Sequence, residues 1–130
     1  FLGDGFMAVF GAPLSDGRDV RNAVNAANEI IERIASEVQS GNIADVTVGI
    51  GLHSGDAVTG NVGSAARKEY TVIGDVVNLA SRIEQLNKQF GSRFLMSEDV
   101  MRFCEDLSPQ FVSETQVKGR EQPVKIYRLA

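Results

Sequence analysis

The sequence predicts an α/β sandwich in which a mixed β-sheet is covered by helices. Three observations carry that reading: short β-prone runs interleave with two long amphipathic stretches, Gly-centred turns separate several of the runs, and no regular βα alternation marks a doubly wound parallel sheet. At 130 residues, 43% hydrophobic and 23% charged, the chain fits one globular domain spanning residues 1–130.

The first expected element is Phe6–Phe10, an apolar run after the turn Gly3-Asp4-Gly5, read as a buried hairpin strand closed by Gly11-Ala12-Pro13. Asp16 or Asp19 can cap a helix whose positions Val20, Ala23, Val24, Ala27, Ile30, Ile31, Ile34 and Val38 form one face, with Gly41 ending it. Val46–Leu52 reads as a strand, and Ala57–Val62 as its hairpin partner across Ser54-Gly55-Asp56. Glu69–Ile73 is a further strand, stopped by Gly74, and Asp75 opens a helix to about Phe90. Arg93–Met96 resembles a short strand and Ser97 a cap for a brief helix through Cys104; Phe111–Val117 and Val124–Leu129 are expected to pair around Gly119.

Composition narrows function. Thirteen Lys and Arg against seventeen Asp and Glu leave a charge of -4 and no broad basic field, so nucleic acid is not an expected partner. Single Cys104 and His53 provide neither a disulfide nor a Cys/His zinc site, which points to an intracellular, cytoplasmic setting. No apolar run approaches the roughly 20 residues needed to span a bilayer, so this segment is expected to make no membrane contact.

The segment Tyr70 to Arg82 is the most informative. At about 100° per residue, Val76, Ala80, Ile83, Leu86 and Phe90 share one side of the helix, and Asp75, Asn78 and Arg82 lie within an arc of roughly 60° beside it. A carboxylate, an amide and a guanidinium on one edge could meet a purine, a sugar and a phosphate in turn. By helix statistics alone, Asp75 reads as a helix cap, Asn78 as a solvated first-turn residue and Arg82 as a surface cation.

The segment resembles the class III nucleotidyl cyclase signature, in which a Gly, a purine-selecting residue, Val-Asn and Ala-x-Arg stand at this spacing. Phe1–Gly11 looks like that family's metal-binding hairpin, Val48–Gly55 like its next strand, and Val117-Lys118-Gly119 like its phosphate-binding end. Four motifs in order cover nearly the whole chain. The resemblance implies a ferredoxin-like, polymerase-palm-like fold and an adenylate cyclase that converts ATP to 3',5'-cyclic AMP. A guanylate cyclase, or a non-catalytic nucleotide-binding module, is the alternative.

Residue by residue, the resemblance makes Asp4 a carboxylate ligand of two divalent cations, Mg2+ or Mn2+. It makes Asp75 the acceptor for the adenine amine, Asn78 and Arg82 the catalytic residues at ribose and α-phosphate, and Lys118 a contact to the outer phosphates. It also implies a head-to-tail homodimer, with Asp4 from one protomer facing the other four residues on its partner. His53 matches a position often histidine in the family, and its expected role is structural. The family's first metal carboxylate and an adenine-contacting lysine would precede Phe1. The chain is therefore expected to be an N-terminally partial domain, lacking a strand and helices and inactive alone.

Overall fold

The computed structural model describes residues 5–11, 17–55, 58–62, 69–73, 75–117 and 121–130. Helix α1 covers Asp19–Gln39, followed by β1 (Ile50–Leu52), β2 (Val58–Val62), β3 (Glu69–Ile73), α2 (Asp75–Phe90), β4 (Phe94–Ser97) and α3 (Glu98–Met101). A 3-10 turn at Glu105–Leu107 leads to β5 (Gln110–Thr115) and β6 (Val124–Arg128). The expectations placed on Asp4, Asp16, Gly74, Lys118 and Gly119 lie outside the described residues.

Four strands form one mixed sheet in the order β1-β4-β6-β5, and β2 pairs with β3 in a separate antiparallel ribbon. The expected mixed sheet with covering helices is therefore present. One pairing differs from expectation. β1 does not return into β2; it runs parallel to β4, with Ile50 opposite Phe94 and Leu52 opposite Met96. Parallel neighbours need a long crossover, and the ribbon and α2 together provide it. β2 instead meets β3 over five residue pairs, from Val58↔Ile73 to Val62↔Glu69.

Burial follows the alternation of β4, whose four residues are all buried. Phe94 and Met96 join Val24, Ala27 and Ile31 of α1, together with Val100 and Cys104, in one apolar cluster. Leu95 points the other way, into a cluster with Leu79 and Ile83 of α2 and with Val124 and Ile126 of β6. The period of two along the strand thus gives each long helix its own face of the sheet. Antiparallel β5 and β6 complete the sheet, as expected.

α2 rests directly on β1. A Cβ at Gly51 would lie 2.7 Å from the Ala80 carbonyl oxygen and 2.8 Å from Glu84 Cα, and closer still to the Glu84 nitrogen. Asn87, buried to 5% exposure, reinforces the contact: its amide donates to the Ile50 carbonyl at 3.1 Å and the Glu84 carbonyl at 3.0 Å, while Ser92 donates to its oxygen at 2.8 Å. Every polar atom of this buried amide has a protein partner, which removes the desolvation penalty.

α1 ends as the sequence indicates. Gly41 takes φ +76°, and the Gly41 and Asn42 amides donate to Val38 and Glu37 carbonyls, a Schellman closure. The start differs. Arg18 stands at the cap position with no side-chain cap bond, and Asp19 is the first helical residue, where its charge suits the helix dipole.

Two strand expectations are corrected. Residues 6–10 form no strand, and Phe6, Met7, Val9 and Phe10 are 61%, 40%, 42% and 44% exposed. An apolar run becomes a buried strand only with a ladder neighbour and a covering layer, and no ladder of the described sheets includes these residues. Of Val46–Leu52, only Ile50–Leu52 is strand, because pairing begins where the Ile50 amide donates to the Arg93 carbonyl at 2.8 Å.

Candidate active site

α2 carries the candidate site. Leu79, Ile83 and Asn87 are its buried residues, at the four-residue spacing of a single stripe, with Val76, Ala80, Leu86 and Phe90 half-buried around them. The side of the helix expected to be apolar is the buried one, and Leu79, outside the expected set, is buried beside Ile83. Asp75, Asn78 and Arg82 are all exposed and line the edge beside that stripe. The helix is fixed by its buried stripe, so the polar edge is presented on rigid backbone.

Asp75 is the first residue of α2, immediately beyond the end of the β2–β3 ribbon. Asn78 is one turn on and Arg82 a further turn, which sets the carboxylate and guanidinium positions roughly 10 Å apart along the axis at 1.5 Å per residue. That distance is on the scale of a nucleoside from base edge to α-phosphate. Among the described residues, none of the three side chains is engaged in a hydrogen bond or ion pair. An edge ordered acid, amide, cation can accept from an amine, bridge a sugar hydroxyl and hold phosphate oxygens.

The structure therefore brings Asp75, Asn78 and Arg82 together, while Asp4 and Lys118 lie outside the described residues. Val117 packs against the Leu79–Ile83 cluster. Among the described residues, no group of three or more His, Cys, Asp and Glu side chains is arranged to hold a metal ion. The described part of the chain does not by itself fit a divalent pair.

Some side-chain interactions of the domain were not legible in the sequence. Ser97 stands at the cap position of α3, but its hydroxyl makes no cap bond and lies 2.8 Å from His53 Nδ1 instead. Arg21 of α1 grips Asp106 of the 3-10 turn through two bonds of 2.7 and 3.1 Å. That bond pulls the Asp106 carboxyl below the usual carboxylate range and raises Arg21. Burial pushes the Cys104 thiol up, as fits a residue packed against Met96 and Val100. Nothing in local spacing signals contacts between residues 44 or 85 positions apart.

The family model described as adenylate and guanylate cyclase catalytic domain matches residues 1–130. Adenylate cyclase 1 of Rhizobium meliloti is 34% identical over 133 residues, 99% of this chain and 20% of that protein. An adenylate cyclase of Anabaena cylindrica is 36% identical over 140 residues, 99% of this chain and 27% of that one. The chain thus spans about a fifth to a quarter of these relatives. Among solved structures, the adenylyl cyclase CyaB of P. aeruginosa superposes with a TM-score of 0.71 at 29% identity, covering 92% of this chain and 63% of that one. The guanylyl cyclase Cya2 gives 0.61 at 30% identity, covering 92% and 61%.

Proposed function

The chain belongs to the adenylate and guanylate cyclase catalytic domain family, and from that premise we propose that it forms 3',5'-cyclic AMP and pyrophosphate from ATP. The observation that carries this reading is the exposed edge Asp75, Asn78, Arg82 on a helix held by its buried stripe.

Asp75 selects the base. The exocyclic amine of adenine donates to a carboxylate, whereas guanine offers a carbonyl at that position, and two acceptors facing each other repel. Asn78 orients the ribose, so that the 3'-hydroxyl lies in line with the α-phosphate. Arg82 donates several planar N–H groups to the phosphate oxygens as charge builds on them, and Lys118 adds a compact positive charge at the outer phosphates. Two divalent cations, with Asp4 as one ligand, would supply Lewis-acid polarisation when bound.

The assembly belongs to the same reading. The domain acts as a head-to-tail homodimer in which Asp4 of one protomer completes the site of Asp75, Asn78, Arg82 and Lys118 on the other. The exposed apolar side chains at 6, 7, 9 and 10 support it, as they are available for burial against another surface.

Replacement of Arg82 tests the catalytic assignment. In the full-length polypeptide, Arg82→Ala should lower kcat for cyclic AMP formation by roughly 100- to 1000-fold, the usual loss for one donor to transition-state charge. Arg82 is exposed, so the thermal midpoint should stay within the small range of a surface substitution. Unchanged turnover in a folded variant would refute the role.

A further inference from the structure

His53 follows β1, and its side chain is fully buried. Ser97 holds it. That serine has the extended backbone of a helix cap, φ -74° and ψ 163°, the geometry from which a hydroxyl ordinarily accepts from the first helical amides. Its Oγ bonds His53 Nδ1 at 2.8 Å instead, tying the end of β1 to the end of β4. Asp99 Oδ2 stands 3.8 Å from the same nitrogen.

The far side of the ring leads to the candidate site. A Cβ at Gly55 would lie 3.5 Å from His53 Nε2 and 3.5 Å from Val76 Cγ2, which is ordinary van der Waals contact on both sides. Gly55, which carries no side chain, thus stands between the His53 ring and Val76 with room for about one methyl, so that Ser97, His53, Gly55 and Val76 succeed one another from the β4–α3 junction to the first turn of α2. Val76 is the residue after Asp75.

Resting on the reading of Asp75 as the base-selecting group, we propose that His53 is a positioning residue for nucleotide selection. Anchored at Nδ1 by Ser97, its ring fixes one side of Gly55, whose other side is bounded by Val76, and so limits where the first turn of α2 settles and how Asp75 is presented to the base. A serine hydroxyl withdrawn from its cap position to hold a buried ring is the arrangement expected if the ring's orientation matters more than the cap.

The test is the ratio of kcat/KM for ATP to that for GTP in the full-length polypeptide, at a temperature where every variant is folded. His53→Leu and Ser97→Ala should each lower the ratio by roughly threefold to thirtyfold, the range of a coupling through packed neighbours. The double variant should fall no further than the larger single, because both act through one bond. His53→Asn, which keeps a polar atom near the Nδ1 position, should give an intermediate ratio. A merely structural histidine would lower the melting temperature and scale both activities together. An unchanged ratio in His53→Leu and Ser97→Ala would overturn the proposal, as would an Asn variant no better than Leu. Asp75→Asn separates the two ideas: if it shifts the ratio and His53→Leu does not, only the positioning role fails. If Asp75→Asn leaves the ratio unchanged, the reading of Asp75 fails and the proposal with it.

Discussion

Arg21 and Asp106 show how a single pair can set a pH response. Hydrogen bonding from Arg21 is the main cause that holds the Asp106 carboxyl below its ordinary value, and modest desolvation opposes it. The folded-state pKa is depressed, so the pair's contribution is fully present above the unfolded value of about 4. It is lost as pH falls through the lower folded value. Urea midpoints of the wild type and Arg21→Gln should therefore differ by a constant amount at neutral pH and converge below about pH 4. A gap that does not narrow at all as pH falls below about 4 would show that the pair acts through packing alone. In the candidate site, what was legible is placement: spacing alone puts Asp75, Asn78 and Arg82 on one edge of a helix, and α2 carries them there. Ser97 was misread, because a serine before a short acidic helix has the same local pattern whether its hydroxyl caps the helix or reaches across to a distant histidine.

At the level of elements, the contact between α2 and β1 decides how the site is held. Gly51 leaves no room for a Cβ against the Ala80 and Glu84 backbone, and backbone cannot rotate aside as a side chain can. Gly51→Ala should destabilise the domain by at least about 1–3 kcal/mol, the usual cost of overpacking, read as a drop in the chemical denaturation midpoint. A variant as stable as wild type would mean that α2 does not sit this close to β1. The helices were legible because their apolar period and their Gly41 and Asp75 boundaries are local signals. Strand partners were not. Val46–Leu52 and Ala57–Val62 are adjacent β-prone runs around a Gly turn, and nothing local says that β1 will pair with β4 beyond an intervening helix. The apolar run Phe6–Phe10 fails for the same reason: its composition suits a strand, but burial depends on what lies alongside.

For the whole molecule, two clusters on opposite faces of one sheet place α2 so that its buried stripe meets Leu95 and Ile126 while its polar edge faces out. The fold class was legible from the interleaving of strands and helices, and the family from motifs in order along the chain. The proposed head-to-tail dimer is tested at this scale. Asp4→Ala and Arg82→Ala proteins should each be nearly inactive alone, and mixing them should restore activity at one of the two sites per dimer. Absence of any rescue, with mixed dimers present by native mass spectrometry, would contradict a shared site. Whether Asp75 selects ATP for cyclisation is decided by comparing kcat/KM for ATP and GTP in the wild-type full-length polypeptide. One charge-assisted hydrogen bond, worth about 1.5–3 kcal/mol, predicts a preference for ATP of roughly 10- to 100-fold. Equal turnover of the two nucleotides, a preference for GTP, or no cyclic product from folded protein would contradict it.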